Sequence, residues 1–407
     1  MQETARQIIV GQLAESIDIP DGAYKKAEAR YKELGEWFGR KEAICFPHNP
    51  HIYSQGSFRL GTVIRPVTSD GEYDLDMGCR LRIGVTKKTH TQERLKEMVR
   101  QDVEAYRKAK GIEQKMEEKH RCWRLKYKDE LPFHLDIVPS IPEAPERQFL
   151  IREAIIRGGQ PQDLAELVAK LTGAITDNSA YNYKFVDENW PQSNSEGFAR
   201  WFEFRMRLAK AFLQNRAVLA GKSKVEELPV YQWKSPLQGA VQILKSHRDI
   251  CFADNPDGKA ASIIITTLAA RAYEGEADIT EAVDNILARM GALVSPKRPR
   301  VPNPVNPAED FSDRWTSASG VEHNLEKNFW DWLRRAQEDF GIFKTERRVN
   351  QIVAIARTKF GASINEKDLS EKLNRAGGGG LLRSAVVSSG LSFPDKPVVP
   401  QKPAGFA

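Results

Sequence analysis

The chain holds little cysteine: four residues in 407, namely Cys45, Cys79, Cys122 and Cys251, each far from the next. That spacing excludes a Cys-x-x-Cys ligand pair and a disulfide framework, and it fits a reducing compartment. Long apolar runs are also missing. The longest, Ala260 to Ala270, falls well short of the roughly 20 residues that a membrane span needs. Met1-Gln2-Glu3-Thr4 is not a basic segment leading into an apolar one, so no signal peptide is expected. Net charge is a mild +6. The hydrophobic share of 41% is too high for a disordered chain, and 28 Gly and 22 Pro are too few for a fibrous one. These limits lead to the expectation of a soluble, cytoplasmic, globular protein with two or three domains.

What is present is unevenly placed. Arg80 to Lys128 holds 16 Lys/Arg against 7 Asp/Glu, more excess charge than the whole chain carries. Such a stretch suits a nucleic-acid or polyphosphate partner, or else forms a solvated helix face.

Ile8, Ile9, Leu13 and Ile17 recur at helical spacing, and a second helix is expected over 23–38 after Pro20-Asp21-Gly22. Ile52 to Leu60 is short and holds a Gly-Ser turn. Tyr73 to Ile83 alternates as a strand. Thr89-His90-Thr91-Gln92 has capping-box spacing and opens a helix with Leu95, Val99, Val103 and Tyr106 on one face. Residues 121–128 and 133–137 read as a hairpin around Asp129-Glu130. Beyond about Pro145 the periodicity is helical, with candidates at 161–172, 196–219, 236–249, 262–273, 280–290 and 320–340. Pro296 to Pro307 carries five prolines and must run extended. The expected organisation is a core with N-terminal helices over 1–145, a helical domain over 146–376, and a flexible tail over 377–407.

Three segments carry chemistry: Gln55-Gly56-Ser57, Glu72-Tyr73-Asp74-Leu75-Asp76, and Phe133-His134-Leu135-Asp136-Ile137-Val138. Asp74 and Asp76 stand two apart on a strand and share a face. Adjacent carboxylates repel unless a cation lies between them, and hard oxygen donors suit Mg²⁺. Asp136, in an apolar frame, is costly to bury without a partner. If the two strands pair, the three carboxylates converge on a two-metal site for in-line phosphoryl transfer. Glycine at 56 lets the backbone approach a phosphate, which the following N–H groups and the Ser57 hydroxyl can hold.

In this order the segments resemble the DNA polymerase β-type nucleotidyltransferase superfamily, and within it the bacterial cGAS/DncV-like enzymes (CD-NTases). Trp190-Pro-x-Ser193-Asn194-x-x-Gly197-Phe198-Ala199-x-Trp201-Phe202, Ile243 to Asp249, Ser262 to Leu268, and Asn303 to Pro307 followed by Glu309-Asp310-Phe311 and Trp315 extend the resemblance over Gln55 to Trp315. Ser195 stands where that pattern has Pro, and no His/Cys cluster resembles the zinc thumb of the animal DNA sensor. Activation by double-stranded DNA is therefore not expected.

The resemblance implies an α+β fold: a polymerase β-like core with a mixed sheet, packed on a helical C-terminal domain. It implies Asp74, Asp76 and Asp136 as catalytic residues and as ligands to two Mg²⁺ ions, with Mn²⁺ as the alternative. Asp136 would lie nearest the attacking ribose hydroxyl. Gln55, Gly56 and Ser57 would meet the donor's phosphates, and Lys245 and Ser262 would hold the triphosphate from the helical side. Read alone, Lys245 is a solvated helix charge and Ser262 an N-cap. Asp310 is a weaker candidate. His247 and Asp249 read as surface or capping groups, and Tyr181 and Tyr183 as base-stacking or ordinary buried aromatics.

The implied function is an enzyme joining nucleoside triphosphates, ATP among them, into a cyclic di- or trinucleotide second messenger for anti-phage defence. Its partners would be a downstream effector that reads the product and a regulatory or conjugating protein at the tail. The alternatives are a linear oligonucleotide synthetase or RNA 3′-end nucleotidyltransferase, for which the basic stretch would serve, and a non-enzymatic scaffold. An intact carboxylate triad argues against the last.

Overall fold

The computed structural model describes residues 2–67, 71–127, 133–207 and 234–376. The expected turn at Asp129-Glu130, the end of the 196–219 helix, and the 377–407 tail lie outside these residues.

Alternation builds the sheet. In the strand Tyr73–Leu81 (β2, after β1 at Pro50–Ser54), Tyr73, Leu75, Met77, Cys79 and Leu81 all enter one apolar core. The strand therefore turns Asp74 and Asp76 to the opposite face. Glu117–Glu118 (β3), Trp123–Tyr127 (β4) and Phe133–Pro142 (β5) follow, then Gly173–Ile175 (β6) and Gln192–Ser193 (β7). The order is β1-β2-β5-β4-β3, with β6 on the end of β5 and β7 on β6. β2 and β5 run parallel and the other pairings are antiparallel, so the sheet is mixed, as expected. A parallel neighbour requires a long return path. The helix Gln92–Ala109 occupies much of it, burying Leu95, Val99, Val103 and Tyr106 against the sheet.

The cap of that helix differs from the capping-box reading. Thr91, not Thr89, is the N-cap, and its side chain accepts from Arg94 N at 3.0 Å. Gln92 is fully buried instead. It donates to Asn182 Oδ1 at 2.8 Å and accepts from Asp177 N at 2.9 Å, tying the helix to the loop before β7.

A second core is helical. Its centre is the helix Pro236–Cys251, capped by a reciprocal Ser235–Gln238 box and surrounded by Ser262–Ala272, Ile279–Arg289, Leu325–Thr345 and Val349–Phe360. The helix Gln2–Ile17 packs into this core through Ile9, Val10, Leu13 and Ile17, although it precedes the sheet in sequence. The expected 320–340 helix is interrupted: Ala318–Glu322 ends before Asn324, which sits at φ 53°, and Leu325–Thr345 begins there. Among the described residues no helix is long and apolar enough to cross a membrane.

The basic stretch is largely neutralised within the fold. Lys87 pairs with Glu143, Lys96 with Glu118, Arg107 with Glu104, Lys110 with Glu33, Lys126 with Glu117, Arg121 with Asp177, and Arg124 with Asp136. Lys96 is entirely buried and also donates to the Lys119 and His120 carbonyls. An excess that looks like a nucleic-acid surface in sequence is largely spent on holding this fold's own carboxylates and carbonyls.

His247 corrects another reading. It is fully buried, not on a helix surface. Trp332 Nε1 donates to its Nδ1 at 3.1 Å, which leaves Nε2–H to donate to Asp339 at 3.1 Å. Burial holds this imidazole below its usual 6.5. The unfolded chain therefore takes up a proton that the folded chain refuses, so stability declines as pH falls below about 6.5. We expect His247→Leu to cost about 2–3 kcal/mol in urea unfolding at pH 8, because Asp339 and the Trp332 N–H lose their partner. The variant should also lose the His247 share of that acid decline.

Candidate active site

The parallel register of β2 and β5 sets Asp74 beside His134 and Asp76 beside Asp136. β4 then sets Arg124 beside Asp136. One face of three neighbouring strands thus carries a row of Asp76, Asp136 and Arg124. Asp76 accepts no side-chain hydrogen bond from the described residues. Its burial, then the charges of Asp136 and Asp74, push its carboxyl up to about 7. Asp136 is held at both oxygens, Oδ1 by Arg124 Nε and Oδ2 by Arg124 Nη2, each at 2.7 Å. Asp74 is largely exposed; His134 Nδ1 lies 3.4 Å from its Oδ1, and His134 Nε2 meets Glu72.

The helix Gly56–Leu60 closes onto this row. Gln55 N donates to the Asp76 carbonyl at 2.9 Å, and Gly56 turns the chain at φ 65°. A Cβ at position 56 would lie 2.0 Å from Asp76 Oδ2. Only glycine fits the backbone that close to the carboxylate in that conformation.

Across a cleft of about 670 Å³ stands the helical core. Gly56, Ser57, Asp74 and Asp76 line one wall, and Lys245 and Ser262 line the other. Lys245 is buried, which rules out a solvated helix charge. Its Nζ donates to the Thr62 carbonyl at 2.7 Å, and burial, then the Arg248 charge, push it down to about 7. Ser262 is the first residue of its helix and not the N-cap, which is Ala261. Arg248 Nη1 donates to Ser262 Oγ at 2.8 Å and to the Ala260 carbonyl at 3.0 Å. With that lone pair taken, the serine hydrogen stays free to donate.

Two expected site residues stand off the cleft wall. Gln55 is turned away: its Oε1 accepts from Ser195 Oγ at 2.6 Å and its Nε2 donates to the Met77 carbonyl at 3.4 Å. Ser195, where the resemblance has Pro, thus anchors the loop at Gln55-Gly56 to the helix Ser195–Met206. Asp136 is likewise not among the lining residues, and Arg124 holds it. Asp310 caps its own turn, accepting from Arg300 N, Val301 N and Ser312 N. Tyr181 is 81% exposed on a distant loop, and neither it nor Tyr183 lines the cleft.

The donor set suits a divalent cation in kind: hard carboxylate oxygens, one of them partnerless and crowded by like charge. Among the described residues no three His, Cys, Asp or Glu side chains are already drawn into a metal-holding group. Sequence reading missed His134, Arg124, Arg248, Gln238 and Gln242. The glutamines had a signal. Positions 238, 242 and 245 form one polar stripe on a largely apolar helix, and their side chains donate to the Leu60, Val63 and Thr62 carbonyls at 2.9, 2.6 and 2.7 Å.

Residues 50–139 match the family described as the cyclic GMP-AMP synthase DncV-like nucleotidyltransferase domain. Over those residues the chain carries a nucleotidyltransferase domain of the DncV-like type, and it is an enzyme. It is 27% identical over 415 residues to a c-di-GMP synthase from Roseivirga ehrenbergii, covering 98% of this chain and 96% of that protein. It is 24% identical over 389 residues to the cyclic dinucleotide synthase CdnG of Bradyrhizobium diazoefficiens, covering 84% and 83%. The solved structure of the B. diazoefficiens CD-NTase CdnG with GTP shares the fold, with a TM-score of 0.61 at 22% identity over 91% of this chain and 99% of that one.

Gly56→Ala tests the close approach. The new methyl must displace Asp76 and strain the turn, so we expect nucleotidyl transfer to fall by about 10² or more. The melting temperature should change by only a few degrees, about what 1 kcal/mol produces in a chain of this size. Steady-state turnover and thermal unfolding of the same preparation check both.

Proposed function

We propose that this protein joins two nucleoside triphosphates into a cyclic dinucleotide second messenger, releasing pyrophosphate at each bond formed. The observation that carries this reading is the pair of facing walls: carboxylates crowded by like charge on the sheet side, Asp76 with no side-chain donor among the described residues, and Lys245 with the Arg248-held Ser262 on the helical side. The relatives' names support a cyclic dinucleotide and make GTP the first substrate to test. Among the described residues the basic stretch is largely paired within the fold, which does not favour the RNA-end alternative.

In this reading Lys245, Ser262, the Ser57 hydroxyl and the backbone following Gly56 bind the donor's triphosphate. Gln55 acts at one remove, fixing that loop to Ser195. A ribose 3′- or 2′-hydroxyl oxygen of the second nucleotide attacks the donor's α-phosphorus. The bond to the β-phosphate oxygen breaks, pyrophosphate leaves, and the hydroxyl proton passes to Asp136. Asp74, Asp76 and Asp136 would hold two Mg²⁺ ions, with Mn²⁺ as the alternative, supplying positive charge against that developing on the phosphoryl oxygens. A second round closes the ring. An effector then reads the product in anti-phage defence, and the 377–407 tail offers a place for a conjugating partner.

The test is incubation with all four NTPs and Mg²⁺, then phosphatase treatment and mass spectrometry. A phosphatase-resistant dinucleotide containing guanine is expected; a phosphatase-sensitive ladder would overturn ring closure.

Asp76→Asn should abolish product, a loss of about 10³ or more, and yet stabilise the metal-free protein. The sign follows from the raised carboxyl. The folded state holds its proton more tightly than the unfolded chain does, so stability is fullest below the ordinary value of 3.8 and is lost as pH rises to about 7. In EDTA at pH 8 the asparagine variant should therefore melt higher than wild type, and the two should converge near pH 4.

A further inference from the structure

The third carboxylate already has a cation, and the protein supplies it. Arg124 and Asp136 are register neighbours on β4 and β5, and the guanidinium forks onto both carboxylate oxygens at 2.7 Å. A fork of that kind fills the side of the carboxylate that a metal would use. On its other flank Asp136 faces Asp76, which accepts no side-chain hydrogen bond from the described residues. With Arg124 in place, the three carboxylates present one unit less negative charge to an incoming divalent ion. Arg124 keeps 24% of its side chain exposed, so it is not sealed in the core. The fork also accounts for why the trio is not drawn together and why Asp136 stands off the cleft wall.

We propose that Arg124 is a positioning residue that withholds Asp136 from divalent cations until a triphosphate occupies the cleft, making metal loading depend on nucleotide. The phosphates of a bound nucleotide restore the negative charge that Arg124 cancels, and a cation shared between them and Asp76 then competes with the guanidinium for Asp136. An enzyme built this way holds no loaded metal centre without its substrate. The proposal rests on the reading of Asp74, Asp76 and Asp136 as the metal ligands.

The test is Mn²⁺ binding to the full chain, followed by electron paramagnetic resonance, with and without a non-reactive α,β-methylene GTP analogue. Wild type should bind Mn²⁺ weakly alone and much more tightly with the analogue. Arg124→Gln should bind Mn²⁺ alone about tenfold more tightly than wild type, shrinking the gain from the analogue by the same factor. Arg124→Lys keeps the charge and loses the fork, so it should fall between, about threefold tighter. If the glutamine variant does not fold, the lysine variant decides. Unchanged or weaker Mn²⁺ binding by the folded variants without nucleotide would overturn the proposal. Asp76→Asn separates the two levels. If it leaves wild-type Mn²⁺ binding with the analogue intact, the ligand assignment itself fails. If it abolishes that binding while the Arg124 variants change nothing, only the role of Arg124 fails.

Discussion

The register of β2 against β5 is the constraint on which the site depends. These strands run parallel, so Asp76 meets Asp136 at the same level, and the alternation that sends Leu75, Met77, Leu135 and Ile137 into the core sends both carboxylates to the other face. A slip of one residue would bury the charges and expose the leucines, so the apolar core enforces the placement of the polar row. The carboxylates repel each other, and no local interaction of their own would hold them side by side. Burial of aliphatic and aromatic side chains behind the sheet, worth about 1.5–3 kcal/mol for each large one, outweighs that repulsion.

The second wall is held to the first by a narrow set of contacts. Gln238, Gln242 and Lys245 on the helix Pro236–Cys251 each donate to a carbonyl of the segment that follows Ser57. Arg59 pairs with Glu203, and Arg80 with Glu196, from the helix Ser195–Met206. The loop around Gly56 is thus gripped from the helical core as well as from its own sheet. Two nearly fully buried amides and a buried amine spent on backbone carbonyls are costly unless the geometry is kept, because each would be left unpaired if the walls drifted apart. That cost fixes the width of the cleft. It also commits Lys245 to the Thr62 carbonyl at the edge of the cleft.

Much of this was legible in the residues. Period-2 alternation located β2 and put Asp74 and Asp76 on one face, and the apolar frame around Asp136 marked it as a charge needing a partner. What the sequence could not display was identity of partner. His247 reads as a surface group beside Asp249 because its ligands, Trp332 and Asp339, lie some 90 residues away. Gln92 reads as a capping-box residue because the local pattern permits it, whereas burial against Asn182 and Asp177 takes its side chain elsewhere. The short helices Val349–Phe360 and Glu366–Arg375 had apolar positions at helical spacing, Val349, Ile352, Ala356 and Phe360 in the first, and went unread beside longer signals.

The charge reading shows the same limit most sharply, and it bears on function. Composition counts Lys and Arg without saying where their nitrogens go. In Arg80 to Lys128 they mostly go to carboxylates and carbonyls of the same fold. The cations that line the cleft, Arg65, Lys245, Arg248, Lys259 and Arg314, lie elsewhere in the chain, scattered so that no window of sequence looks basic. A polyanionic partner such as RNA needs a continuous basic surface, whereas a triphosphate needs a few convergent cations in a partly enclosed space. Among the described residues the fold has assembled the second arrangement and neutralised much of the first, a pattern that suits a nucleotide better than a nucleic acid even though the bare sequence tilts the other way.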